Sequence, residues 1–232
     1  MLSLSVFIFA YNEEGCLKDF VIEMSDVLKS LGNTYEILII DDGSTDATGI
    51  IADQLSKDMD KVFVIHHGIN LGLGSVYKTA FSAANMDLVT FFCADGQFPA
   101  SIIKLFMPLM NEYDMVLGYL PDRNDSPLSK MLSSIEKRLL RFLFGYMPRF
   151  QGIAMFHRRL LSEIRVISKG GRAWTILMEF IIRVSRAGYK IMSIPTNMRL
   201  RKIGKSKVNN ISTIMANLRQ AFILRLHYYD DK

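Results

Sequence analysis

The sequence predicts an α/β fold: a Rossmann-like, mostly parallel central sheet with helices on both faces. Two observations lead there. Short apolar runs rich in Val, Ile and Phe alternate along the chain with segments of helical periodicity, the pattern of a parallel sheet covered on both sides. Each of the polar clusters Tyr11-Asn12-Glu13-Glu14, Asp41-Asp42-Gly43-Ser44 and Asp95-Gly96-Gln97 follows closely on such a run. Turn residues scattered by chance would not collect there, and ligands of open α/β sheets lie beyond the carboxyl ends of the strands.

The run Leu2 to Ala10 reads as a buried strand ending in a loop. From Glu14 to Leu31 the apolar Leu17, Phe20, Val21, Met24 and Leu28 share one helical face, and Gly32-Asn33 stops the helix. Tyr35 to Ile40 is a second strand, followed by a helix from Thr45 to Ser56. Val62 to His66 is a third strand; Gly72 and Gly74 punctuate the loop after it, and Ser75 to Ala84 continues as a helix. Leu88 to Cys93 and Asp114 to Gly118 are further strands, with a loop from Pro121 to Pro127. Ser129 to Tyr146 is an amphipathic helix pattern, fit either to pack on its own sheet or to lie on a membrane surface. The apolar segment Gly152 to Phe156, a helix from Trp174 to Ala187 and a strand from Tyr189 to Pro195 complete the body.

With 232 residues, 50% hydrophobic and 22% charged, the chain is expected to bury a full core as a single domain over residues 1–232. That composition excludes the disordered and low-complexity classes. Cys16 and Cys93 are too few for a disulfide framework, and no opening segment has the make-up of a secretory signal, so a cytoplasmic setting is expected. Charged residues interrupt every apolar window before it reaches the roughly 18 residues of a membrane span, leaving a peripheral place on the cytoplasmic face as the membrane option. The net charge of +5 is concentrated in Lys130, Lys137, Arg138, Arg141 and Arg149 and again in Arg199, Arg201, Lys202, Lys205 and Lys207. Such clusters suit phosphate-bearing partners or simply solvate a surface. No nucleic-acid module is apparent, and acidic strand ends would repel a phosphate backbone, so no nucleic acid is expected as a partner.

Asp41 and Asp42 suit either a tight turn that caps the next helix or the receipt of ribose and base donors. Gly72 and Gly74 lack the spacing of a phosphate loop or a dinucleotide fingerprint, which excludes those ATPase and dehydrogenase classes. Asp95 with Gln97 offers hard oxygen ligands for Mg2+ or Mn2+ joined to phosphates.

In their order, the segments Phe7 to Glu14, Ile39 to Asp46, Asn70 to Gly74, Cys93 to Gln97 and Arg201 to Lys207 resemble the family 2 glycosyltransferases of the nucleotide-diphospho-sugar transferase (GT-A) fold, especially the dolichol-phosphate mannosyltransferase branch. The resemblance implies that Ala10, Tyr11, Glu13, Asp41, Asp42 and Asp95 bind the nucleotide sugar. It implies that Asp95 and Gln97 hold the metal on the donor diphosphate, and that Arg201, Ser206 and Lys207 contact the acceptor phosphate. Asp95 and Arg201 are then the catalytic residues of an inverting transfer from GDP-mannose or a UDP-sugar.

Two departures from that family stand out. Cys93 occupies the position of a usual carboxylate; buried cysteine packs as a small hydrophobe, and its thiolate matches magnesium poorly. Arg149-Phe150-Gln151 stands where many relatives carry an acidic residue near the acceptor. A hydroxyl acceptor needs a base, whereas a phosphate is already anionic and needs alignment and charge neutralisation instead. The expected acceptor is therefore a polyprenyl phosphate, with a surface glycan as the alternative and a non-catalytic nucleotide-sugar-binding accessory protein as the other class. Phe222, Ile223, Leu224, Leu226, Tyr228 and Tyr229 suit packing of a final helix, a subunit contact or a membrane-facing tail, and a homo-oligomer or a membrane subunit is the partner this leaves open.

Overall fold

A computed structural model describes residues 2–121, 148–168 and 175–200, together with Arg138, Gly145 and Arg225. Among them seven strands form one sheet: β1 (Leu4–Ala10), β2 (Tyr35–Asp41), β3 (Val62–His66), β4 (Leu88–Cys93), β5 (Met115–Tyr119), β6 (Ala154–His157) and β7 (Ile191–Pro195). The helices are α1 (Leu17–Leu31), α2 (Thr48–Asp58), α3 (Leu73–Ala83), α4 (Ile102–Phe106), α5 (Leu160–Glu163) and α6 (Thr175–Arg186), with a 3₁₀ turn at Met107–Asn111. Strand order is β3-β2-β1-β4-β6-β5-β7. β6 runs antiparallel to β4 and β5, and the other pairings are parallel.

β1 is buried along its whole length because side chains of opposite parity enter two cores. Leu4, Val6, Ile8 and Ala10 join the α1, α2 and α4 side, where Leu17, Phe20, Val21, Met24 and Leu28 supply the stripe of α1. Phe7 and Phe9 join Tyr77 of α3 and Phe180 of α6 on the other face. Truncating a residue such as Ile8 or Phe7, each 0% exposed, would cost about 2–5 kcal/mol through lost burial and the cavity left behind. Gly32 closes α1 at φ 71 and donates its N–H to Lys29, the left-handed end that a side chain resists.

Some boundaries differ from the sequence expectation for local reasons. α1 begins at Leu17 rather than Glu14, because the Glu13 carbonyl first accepts from Cys16 and Leu17 N–H. α2 begins at Thr48 rather than Thr45: Thr48 N–H donates to Asp46 Oδ1 and Thr45 N–H to Asn12 Oδ1. Gly74 lies buried in the first turn of α3 instead of punctuating the loop. The stretch between β4 and β5 folds as α4 and the 3₁₀ turn, which the sequence reading had not assigned. The apolar segment at 152–156 supplies the one reversed strand, β6.

Candidate active site at the carboxyl ends of the strands

β1 lies between β2 and β4, and the chain leaves the β3 edge to place β4 on the far side of β1. The carboxyl ends of β1 and β4 therefore flank the point where strand order reverses, the crevice in which open α/β sheets bind ligands. Register aligns Ala10 with Asp41, Asp41 with His66, and Phe9 with Cys93. Backbone pairing continues past the strands, with Asp42 N–H donating to Ala10 O, Ala94 N–H to Phe9 O and His67 N–H to Asp41 O, each at 2.9 Å. Tyr11, Glu13, Asp41, Asp42 and Asp95, dispersed along the sequence, are thus gathered at one end of the sheet.

The loop after β1 is tied to the start of α2. Asn12, at φ 51, donates its N–H to Ser44 Oγ at 2.9 Å and accepts Thr45 N–H on Oδ1 at 2.8 Å. Glu13 N–H donates to Thr48 Oγ1 at 2.8 Å, and Glu14 Oε2 accepts Ala47 N–H at 2.8 Å. Partial burial alone would raise the Asp46 carboxyl; hydrogen bonds from Thr48 and Glu14 outweigh it and hold the group below the usual carboxylate range.

Two histidines at the end of β3, which the sequence reading left out of the site, complete the acidic pair. His66 Nδ1 lies 3.0 Å from Asp41 Oδ2, and its Nε2 lies 3.1 Å from Asp53 Oδ1. His67 Nδ1 lies 2.7 Å from Asp42 Oδ1, and its Nε2 lies 2.9 Å from Thr79 Oγ1. Asp42 also accepts Leu71 N–H on Oδ1 at 3.0 Å and Gly72 N–H on Oδ2 at 2.9 Å, so its buried carboxylate organises the loop ahead of α3. Gly43, at φ 68, lets the turn after β2 pass against that loop: a Cβ there would lie 2.3 Å from the Ile69 carbonyl carbon. A signal was available in the sequence, because an acidic doublet and a histidine doublet end neighbouring strands.

Beyond β4, Asp95 Oδ1 accepts Gln97 N–H at 3.1 Å around Gly96, which sits at φ 65. Gln97 is engaged by the chain after β7: its carbonyl accepts Arg199 N–H at 2.7 Å, and its amide lies 3.9 Å from Met198 Sδ. Cys93 is exposed, not buried, because β4 ends there beyond the packed core. Below it, Tyr77 packs edge-on against Phe9 and Phe91, each at 5.0 Å, and burial pushes its phenol up so that it stays neutral.

The sequence pattern of Glycosyl transferase family 2 matches residues 5–165. The chain belongs to that family. It is 27% identical over 197 residues to polyprenol monophosphomannose synthase of Mycolicibacterium smegmatis, covering 80% of this chain and 72% of the relative. It is also 27% identical over 224 residues to glycosyltransferase AglD of Haloferax volcanii, covering 92% of this chain but only 35% of that longer protein. Among solved structures, glucosyl-3-phosphoglycerate synthase of Mycobacterium tuberculosis, in complex with Mn2+, UDP and glucosyl-3-phosphoglycerate, superposes with TM-score 0.69 at 18% identity. That match covers 98% of this chain and 79% of the synthase. The fold is GT-A, and the protein is a glycosyltransferase resembling the dolichol-phosphate mannosyltransferase branch.

Among the described residues no three His, Cys, Asp or Glu side chains cluster into a protein-only cage. Asp95 at a strand end instead fits a hard cation that takes its remaining oxygens from a diphosphate and water, as Mg2+ commonly does. Arg201, Ser206 and Lys207, expected on the acceptor side, lie outside the described residues, as do the apolar residues 222–224, 226, 228 and 229 and the segment 129–146 apart from Arg138 and Gly145. Arg149 is described, with its guanidinium 5.4 Å from the centre of the Tyr119 ring. Among the described residues no helix is long and apolar enough to cross a membrane.

Proposed function

We propose that this glycosyltransferase moves a sugar, with inversion, from a nucleotide diphosphate sugar to a polyprenyl phosphate at a membrane surface. The observation that carries the acceptor is the likeness to polyprenol monophosphomannose synthase over 72% of that relative's length. GDP-mannose is the first donor to test and UDP-sugars the second. Ala10, Tyr11, Glu13, Asp41 and Asp42 line the nucleotide pocket in this reading, and Asp95 with Gln97 holds Mg2+ or Mn2+. Such an ion, when bound, neutralises charge on the departing nucleotide diphosphate. Arg201, Ser206 and Lys207 orient the acceptor phosphate, which attacks as an anion and needs no base to deprotonate it. The domain acts as one unit over residues 1–232, attached to the cytoplasmic face.

The test is a reaction screen of the purified chain with GDP-mannose and UDP-sugars against polyprenyl phosphate, a glycan and 3-phosphoglycerate, with Mg2+, Mn2+ or chelator. Product on the polyprenyl phosphate alone, lost with chelator, is expected. Efficient use of the glycan with refusal of every polyprenyl phosphate would reject the acceptor. Nucleotide binding without any product would point to the accessory reading.

A further inference from the structure

We propose that Glu23 and Arg199 are positioning residues that jointly hold the Asp95–Gln97 turn in the form that receives the donor. The proposal rests on the reading above, in which Asp95 meets the donor diphosphate. Glu23 projects from α1 and uses both carboxylate oxygens. Oε1 accepts the N–H of Ala100 at 3.0 Å, and Oε2 accepts from Arg199 Nη1 at 2.7 Å. Arg199 in turn donates its backbone N–H to the Gln97 carbonyl at 2.7 Å. One residue pair therefore grips both ends of the segment Gln97 to Ala100, which begins two residues after Asp95.

The turn needs such a grip. Its Gly96 takes a left-handed conformation at φ 65, and the Gly96 N–H to Cys93 O contact is long at 3.4 Å. Asp95 spends Oδ1 on the Gln97 N–H, so the direction of its carboxylate follows the placement of Gln97. The elements that meet here, α1, the turn and the chain after β7, are separated by 77 and 176 residues in sequence. Exposed ion pairs contribute little to stability, and the Glu23 and Arg199 side chains are 31% and 49% exposed. The pair acts through the geometry of the turn, and its loss reads out in ligand binding more than in melting.

Electrostatics supplies the decisive sign. Glu23 is an anion near the proposed diphosphate site, so removal of its charge alone would tighten binding of an anionic nucleotide. The latch requires the reverse. The experiment measures Mn2+-dependent binding of GDP and UDP by calorimetry on the full chain, with thermal unfolding in parallel, for Glu23→Ala, Glu23→Gln, Arg199→Ala, Arg199→Lys and Asp95→Asn. Glu23→Ala is expected to weaken binding about tenfold, the scale of outer-shell metal-site changes, with melting nearly unchanged. Glu23→Gln, which keeps an acceptor for Ala100, and Arg199→Lys recover part of the loss. Tighter or unchanged binding in Glu23→Ala, with Asp95→Asn still weakened, overturns the latch and leaves the donor site standing. Unchanged binding in Asp95→Asn overturns both.

Discussion

The Asp42 carboxylate lies 2.7 Å from His67 Nδ1, and the same carboxylate accepts the backbone N–H groups of Leu71 and Gly72. A side chain just past the end of β2 thereby fixes the loop between β3 and α3, which in the proposed reading borders the nucleotide pocket. Both partners are nearly sealed from solvent, at 8% for the His67 side chain and 6% for Asp42.

Asp42→Ala leaves those donors without their acceptor, and a loss of about 3 kcal/mol is expected, more than the ~1 kcal/mol of a simple helix cap. Nucleotide affinity should fall with it, because the wall of the proposed pocket loosens. Urea unfolding alongside calorimetry checks both, and wild-type stability in the variant would refute the hub.

Asp95→Asn is expected to abolish most metal-dependent turnover while the melting temperature stays close to wild type. Turnover with and without chelator on the folded variant decides it. Because Cys93 is exposed, Cys93→Asp avoids the penalty of a buried charge and should alter stability by only about 0.5 kcal/mol. It should tighten binding of Mn2+ with a nucleotide diphosphate, measured by calorimetry; weaker binding would show that the carboxylate of relatives has no counterpart role at this position.

Gly43→Ala places a Cβ 2.5 Å from the Asn70 nitrogen and 2.3 Å from the Ile69 carbonyl carbon, at φ 68. Left-handed strain and overpacking against backbone add up to about 3 kcal/mol. Chemical denaturation measures the loss; a variant as stable as wild type would mean that the turn after β2 and the loop between β3 and α3 do not approach this closely.

His66 gives a pH dependence of definite sign. Partial burial lowers its pKa, but the hydrogen bonds to Asp41 and Asp53 and their charges outweigh that, and the net shift is upward from 6.5. A raised folded-state pKa contributes stability that is fully present below 6.5 and is lost as pH rises through the folded value. Melting should therefore fall as pH climbs above 6.5, less so at high salt because the imidazole is exposed. His66→Gln should lose this component of the pH profile, and an identical profile in the variant would contradict it.

The alternation of apolar runs with helical stripes was enough to reveal the α/β class, since strands buried on both faces and one-sided helices carry different periods. Leu17, Phe20, Val21, Met24 and Leu28 could be read as the buried face of α1 from spacing alone. The position of Asp41, Asp42 and Asp95 past strand ends was equally legible, because in a parallel sheet every such end opens on the same side. What the sequence could not state was which strands are neighbours. Nothing local tells Ala154–His157 to run antiparallel between β4 and β5, since side-chain alternation is the same in either direction. Nor does any local pattern pair Asp42 with His67, Asp41 with His66, or Glu23 with Arg199. Those contacts join residues far apart in the chain, and only closure of the sheet, with the chain after β7 returning across the end of β4, brings them within hydrogen-bond reach.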